Sequence, residues 1–576
     1  MPLSTTQGDK PEVGGEAIPN LEPEKDRQSV KLRHESSRTS STLVTDTEKQ
    51  KKEGAGEDGG QPIDEEVVVQ DVGTYPSGIK LAFIMVALVL SVFLFSLDQT
   101  IVATAIPKIT DEFNSIDDIS WYGSAFFMTL GGFQSMWGKV YKYFSLKISF
   151  MVAIFIFELG SLICAVARNS PTLIVGRAIA GLGGAGVGSG AYTIVAFAAE
   201  PKKRASMTGV IGMSYGLAAI TGPLIGGVFA DRVSWRWCFY INLPIGGLAA
   251  AIIILFFRTP PAAKAVEATL RDKLLQMDPI GTTLIMGAVC SLILGLQYGG
   301  VTYPWNSSTV IGLFVGCGCM FIVFGIIESV QGERAMLTPR LMRQRSVWVS
   351  GVYGAFFAGS YFVPLYYLPI YFQSIDGASP INSGVRNLPL IIAFTIATVA
   401  SGASISKTGI ATPLLPVGSA IATIAAGLLY TLDIGTGTGK WIGYQILAGF
   451  GYGISFQVPI IVCQGTGDPS DLASMTAIIL FFQTIGGAAL IGAAQSGFVN
   501  QLLRRLPSTA PTVNPNLVVA AGATELRNVF SADELSGILV AYMAGIKVTF
   551  AITIGAAGIS FPISLLSKWD KINLQT

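Results

Sequence analysis

Residues 81–107 read LAFIMVALVLSVFLFSLDQTIVATAIP. No charged side chain occurs from Leu81 to Ser96; Asp98 then appears, and apolar residues resume behind it. About 20 apolar residues are needed for a helix to cross a hydrocarbon core of about 30 Å, and the run to Thr104 suffices. A carboxylate inside such a helix costs about 2.5–3.5 kcal/mol at the bilayer centre, and less off-centre. Asp98 is therefore expected to have a partner and a task.

Working outward, the same pattern recurs. The chain has 576 residues, 51% hydrophobic and 13% charged. That charged share is about half the ~25% of a soluble domain. Residues 1–76 are polar and rich in Ser and Gly, and are expected to form a disordered tail. Beyond Ser77, apolar runs alternate with short polar loops. Fourteen membrane helices are expected, near 81–104, 119–137, 148–167, 171–194, 206–230, 237–257, 279–299, 309–329, 347–372, 384–404, 412–431, 441–463, 472–498 and 539–567. Backbone polar groups must be satisfied internally in lipid, so an all-α polytopic membrane protein is the natural outcome. The many glycines inside these runs suit close helix–helix approach.

Composition also narrows function. The net charge of +1 suggests no nucleic-acid partner, and the single His34 lies in the tail. No metal site, catalytic residue or organic cofactor is expected. The six cysteines form no C-x-x-C pair and read as small apolar packing residues. No phosphate loop of the G-x-x-x-x-G-K-[ST] form is present, so ATP-driven pumping has no visible machinery. An enzyme is not expected. The hydrophilic start argues against a cleaved signal peptide and for an uncleaved first anchor at Leu81.

Lys and Arg concentrate in alternate loops, among them Lys139, Lys142 and Lys147, Lys202 to Arg204, and Arg334 to Arg345. The positive-inside rule then puts both termini in the cytoplasm. The one N-x-[ST] acceptor, Asn306, falls in an outside loop and is a candidate glycosylation site.

An internal repeat adds an architecture. ASMT occurs at 205–208 and again at 473–476; at the same offset, AGLGGAG (180–186) faces AGFGYGI (448–454). Spans four and five thus match spans twelve and thirteen. Two six-helix repeats would give a six-span shift, so two helices are inserted between the halves, most simply spans seven and eight. The expected organisation is tail 1–76, first six-helix bundle 77–257, linker with two extra helices 258–333, second bundle 334–567, and C-terminal segment 568–576. Parallel repeats of this kind are a transporter architecture with a midplane binding site. Arg177 faces Gln445 in the repeat, so its charge belongs to the first half alone.

Four elements then carry a family resemblance. LDQTIVATAIP (97–107), GKVYKYFSLK (138–147), GRAIAGLGGAG (176–186) and GPLIGG (222–227) stand in order along the first half. Together they resemble the major facilitator superfamily, in particular its fourteen-span drug–proton antiporter branch and the fungal toxin and multidrug efflux pumps within it. Four positions depart from the family pattern. Lys142 and Ser145 stand where an aspartate and a glycine are usual in the loop after span two, Ala218 stands where the fifth-span motif has glycine, and Ala180 stands where many members have glutamine.

The resemblance implies proton-coupled efflux of hydrophobic small molecules, with the proton gradient as energy source and no other cofactor. Its partners would be the bilayer, protons and the substrate; the chain would act as a monomer, in the plasma membrane or else the vacuolar membrane. A siderophore or vacuolar amino-acid transporter of the same fold is the alternative, and a transporter-derived receptor or scaffold is another. Asp98 and Arg177 share a depth, and are expected to pair and to couple the proton to the conformational switch. Glu158, midway along span three, is a candidate second acid, a contact for a cationic substrate, or a packing residue. Gly209, Gly216, Gly222, Pro223, Gly226 and Gly227 are the antiporter motif, read as a bend and a tight helix interface. Gly138, Lys139 and Lys147 form the loop motif. Gln134, Tyr366, Gln445 and Gln457 are candidates to line a cavity.

Overall fold

The computed structural model describes residues 75–113, 119–569 and 571–572. The expected tail, apart from its last two residues, and most of the C-terminal segment lie outside the described residues, as does His34. Six spans' worth of helix come first: α1 (Gly78–Phe113), α2 (Ile119–Tyr143), α3 (Leu146–Ala165), α4 (Ser170–Ala198), α5 (Pro201–Arg232), the single turn α6 (Trp237–Tyr240) and α7 (Asn242–Phe256). A connecting region holds α8 (Leu270–Leu275), α9 (Pro279–Tyr298) and α10 (Ser308–Gln331), followed by the short α11 (Pro339–Met342). Then come α12 (Arg345–Ser374), α13 (Pro380–Arg386), α14 (Leu388–Thr408), α15 (Leu414–Tyr430), α16 (Thr438–Ser455), α17 (Val458–Thr466), α18 (Leu472–Thr509), α19 (Pro515–Val529) and α20 (Ala532–Leu565).

Each expected run falls on helix. Twelve helical stretches among the described residues are long and apolar enough to cross a membrane. The two expected spans outside that set are α15, apolar but 17 residues long, and α2, whose 25 residues include Gln134, Lys139 and Lys142. Helix ends differ most. The expected end of the first span at 104 is overrun, since α1 continues to Phe113. Apolarity marks the lipid boundary, not the helix end, and the extension is tied down by Glu112, which accepts from Trp235 Nε1 at 2.7 Å and Arg236 Nη2 at 2.9 Å. Helix α19 has no counterpart among the expected spans.

Local signals explain several starts. Asn169 caps α4, accepting from the Thr172 N–H at 2.9 Å, with Pro171 in the first turn. Ser531 and Glu534 form a reciprocal capping box on α20. Gly409, at φ 69°, ends α14 with its N–H on the Ile405 carbonyl.

The repeat is visible in the packing. Gly160 and Gly183 let α3 and α4 meet backbone to backbone, at Ala180 and Phe157, while Gly181 lies on the Phe126 carbonyl of α2. In the matched helix, Gly449 and Gly453 lie on the Leu390 and Phe394 carbonyls of α14, and Gly451 lies on Ala422 of α15. So α4 stands to α2 and α3 as α16 stands to α14 and α15. Two seams join the halves, α5 on α14 and α18 on α2, and the repeat exchanges them. The inserted pair lies outside this frame. Of its span, 17% of α10 is buried, against 83% for α4. With lipid as apolar as leucine, such small-residue seams supply the association.

Candidate functional site

Asp98 and Arg177 meet in the first half, 0% and 1% exposed. The Asn169 cap starts α4 so that Arg177 arrives two turns in, facing α1. Its Nη1 donates to Asp98 Oδ2, its Nε donates to the Tyr122 carbonyl at 2.9 Å, and its guanidinium lies 4.4 Å from the centre of the Phe126 ring. On the other side, Asn242 Nδ2 donates to Asp98 Oδ1 at 3.3 Å and to Ser161 Oγ at 3.0 Å. The pair is thus held by α1, α2, α4 and α7, with α3 one contact away. A buried pair is weak evidence for stability, but removing one partner strands a charge and costs about 3–5 kcal/mol. Asn242 was missed in the sequence; its only signal is a polar residue opening an apolar run.

One turn of α1 serves three neighbours. Phe95 and Gln99 line a central cavity. Asp98 takes Arg177. Thr100 donates to the Ala218 carbonyl of α5 at 3.2 Å, and a Cβ at Gly222 would overlap its side chain. A rotation or shift of this turn therefore reaches the ion pair, the cavity and α5 together.

The cavity takes walls from both halves: Phe95, Gln99, Gln134, Tyr192 and Tyr215 from the first, Phe362, Tyr366, Phe456 and Gln483 from the second. None of its lining residues is charged. Gln134 and Tyr366 are where the sequence put them. Gln445 is not: its amide donates to the Arg386 carbonyl at 3.0 Å, in the seam between α16 and the end of α13. Gln457 also stands off the wall, behind Tyr192, to whose hydroxyl it donates at 3.1 Å. Gln445 lies on a helix face turned to a neighbour and Gln457 in the turn between α16 and α17, and a polar residue in an apolar run does not reveal which side it takes.

The glycine motif divides. A Cβ at Gly209 would lie 2.9 Å from the Thr398 carbonyl oxygen, and one at Gly216 2.7 Å from Thr395 Oγ1, so both seat α5 on α14. Gly222 seats α5 on α1. Gly227 is a correction to the tight-interface reading, since nothing lies within 4 Å of a Cβ there. Helix α5 runs on through Pro223, and the Gly226 carbonyl lies 3.9 Å from Cys238 Sγ.

At the end where α2 meets α3, Gly138 lies against Ala473 and Ala477 of α18. Lys139 is buried, donating to the Glu333 carbonyl at 2.6 Å and to Thr338 Oγ1 at 2.9 Å. A positive-inside anchor would stand in water; this lysine instead ties α2 to the segment after α10. Lys147 donates to the Ile254 carbonyl at 2.7 Å. Lys142, unremarked as a site in the sequence, pairs with Asp471. Glu158 lies on α3 with both carboxyl oxygens buried and without a hydrogen-bond partner, away from the cavity. Asn306 is exposed in the loop between α9 and α10.

Comparison with known proteins agrees with this geometry. A family model described as Major Facilitator Superfamily matches residues 88–491. Among curated proteins, the MFS-type transporter grgE of Penicillium sp is 54% identical over 499 residues, covering 87% of this chain and 88% of that protein. The MFS-type transporter thnB of Trichoderma harzianum is 55% identical over 491 residues, covering 85% of each. The probable efflux pump gsfJ of Penicillium aethiopicum is 49% identical over 499 residues, covering 86% of this chain and 89% of that protein. Among solved structures, the human organic anion transporter MFSD10 superposes with a TM-score of 0.54 at 12% identity, covering 85% of this chain and 100% of that one.

Proposed function

The chain belongs to the major facilitator superfamily, and from that premise we propose that it is a proton-coupled exporter of uncharged, largely apolar small molecules. It is a membrane transporter and not an enzyme. The observation that carries the proposal is the single turn of α1 that touches a buried acid–base pair, a charge-free cavity and α5 at once.

The mechanism follows from those contacts. With Asp98 ionised, Arg177 ties α1 to α4. A proton taken by Asp98 removes the ion pair, while Arg177 keeps the Tyr122 carbonyl and the Phe126 face. The turn of α1 is then released, and Gln99 and Thr100 carry its displacement to the cavity and to α5. Halves that rock about the α5–α14 and α2–α18 seams give alternating access. A relative carrying the name efflux pump supports the outward direction.

The cavity supports the substrate class. Aromatic walls with carboxamides suit a mostly apolar ligand that also makes hydrogen bonds. An amino acid or an anionic iron chelate would bring charge to walls that offer none, so the importer alternative is the weaker reading. Fourteen spans, both termini in the cytoplasm, a monomer and the plasma membrane complete the proposal. Proton-gradient-dependent flux in sealed vesicles tests it, using neutral aromatic dyes and toxins against zwitterionic and anionic probes. Flux that ignores the gradient would overturn the coupling; preference for charged probes would overturn the substrate class.

A further inference from the structure

Helices α3 and α7 run antiparallel, and two successive rungs connect them. In the first, Asn242 of α7 donates to Ser161 of α3 at 3.0 Å and also to Asp98. In the second, one turn along, Gly246 of α7 faces Glu158 of α3: a Cβ on Gly246 would overlap Glu158 Oε1. The glycine leaves room for the carboxyl head. The two rungs are one turn, about 5.4 Å, apart along one seam; Asn242 reaches Asp98 from the first, and Glu158 occupies the second. Three acceptor oxygens of this seam, Glu158 Oε1 and Oε2 and Asn242 Oδ1, are buried without a partner.

Such a group is costly unless it holds a proton. An ionised carboxylate with no donor and no counter-charge in a low-dielectric seam is the least favourable arrangement, and buried polar groups otherwise find partners. The other titratable groups around the seam are Arg177 on α4, committed to Asp98, and the thiols Cys164 on α3 and Cys238 on α6. Helix α7 contributes none. Lys147, on α3 itself, is three turns away on the Ile254 carbonyl. Among the described residues no base is placed to make Glu158 a permanent ion pair, and it is not among the residues that line the cavity.

We propose that Glu158 is a second proton-binding carboxyl of the transport cycle, coupled to Asp98 through the Asn242–Ser161 rung. In the state described here Glu158 holds the proton and Asp98 the charge. When the proton leaves the Glu158 carboxyl and binds Asp98, the ion pair with Arg177 is lost and the turn of α1 is released; Glu158 becomes the carboxylate, and Asn242 turns its amide to it. This rests on the proton-coupled reading of Asp98.

The full chain, reconstituted and as purified protein, tests it with Glu158→Gln, which keeps the shape, and Glu158→Asp, which keeps the acid. Infrared difference spectra across a pH step should show a protonated-carboxyl C=O band that Glu158→Gln removes and Glu158→Asp shifts. In vesicles, Glu158→Gln should slow proton-coupled flux several-fold and flatten its pH profile, while Glu158→Asp keeps both. Gly246→Ala, which crowds the carboxyl, should shift the same band. An unchanged band, flux and profile in Glu158→Gln would overturn the inference. A wild type without proton movement would instead overturn the reading of Asp98, and the infrared band would still report on Glu158.

Discussion

Lys142 Nζ lies 2.8 Å from Asp471 Oδ1, joining the end of α2 to the residue that opens α18. Arg340 reaches the other Asp471 oxygen at 2.8 Å and Glu333 at 2.9 Å. The position where the family has an acid carries Lys142, and its partner across the seam is an acid. Lys142 and Asp471 thus form a latch across the seam, shared with the segment that follows the inserted helices. Asp471→Asn leaves Lys142 without its counter-charge and Arg340 with Glu333 alone. A charge-assisted bond of this kind contributes about 1.5–3 kcal/mol, or roughly a tenfold or larger shift in an opening equilibrium. Thiol labelling of a cysteine placed at Ser474 should speed up by that factor in Asp471→Asn; an unchanged rate would dismiss the latch.

The Asp98–Arg177 pair predicts a non-additive outcome. Asp98→Asn or Arg177→Gln alone strands one partner, and each should lower the melting temperature by several degrees. The double variant should recover most of that loss and still fail to exchange substrate for protons. Thermal melts in detergent together with gradient-driven flux check both halves. A double variant no more stable than either single one would count against the pairing as the source of the loss.

Alanine at three glycines should separate packing from motif. Gly183→Ala pushes a methyl into the Phe157 main chain and should cost about 1–3 kcal/mol. Gly222→Ala, against a movable Thr100 side chain, should change flux more than stability. Gly227→Ala meets open space, and is expected to stabilise by up to about 1 kcal/mol with flux intact. Lost transport in Gly227→Ala would show that the position needs more than room.

Gln134→Glu tests the charge-free cavity. Flux of a neutral dye should fall by about tenfold or more, because an acid there must be desolvated with the ligand, while a cationic dye of similar shape should gain. Equal losses for both dyes would point to damage at Ser189, to which Gln134 now donates at 2.7 Å.

Outside the membrane, Glu112 offers a pH prediction. The Arg236 hydrogen bond, with Trp235, holds its carboxyl below the ordinary 4.5. A depressed value means stability that is present above the unfolded value and lost as pH falls through the folded one. The pair is partly exposed, so the contribution is small, about 0.2–1 kcal/mol. Glu112→Gln should melt slightly lower than wild type at neutral pH, and the difference should vanish once pH has fallen through the folded value; a gap that persists in acid would mean that packing is responsible.

The fold was legible because lipid imposes a length on every helix and a main-chain hydrogen bond on every residue. All fourteen runs fell on helix for that reason. The Asp98–Arg177 pair was legible too, since two costly charges at one depth must meet. The faces of helices were not. A helix that is apolar all round carries no polar stripe to say which side looks inward, so Gln445 and Gln457 were put on the wrong wall and Asn242 passed unnoticed. The role of Lys139 was hidden for another reason: its acceptors, a carbonyl and a hydroxyl, leave no charge pattern in the sequence.

The glycines that bring α3 onto α4 have a practical consequence. Main chain touches main chain at Gly160–Ala180 and Gly183–Phe157, with no side chain between that can change rotamer. The separation of these two helices is therefore fixed by main-chain van der Waals contact. Probes on their exposed faces, at Val152 and Val175 for instance, would keep a constant distance while the rest of the molecule cycles. That pair is an internal ruler, and displacement of α1 or α5 can be read against it.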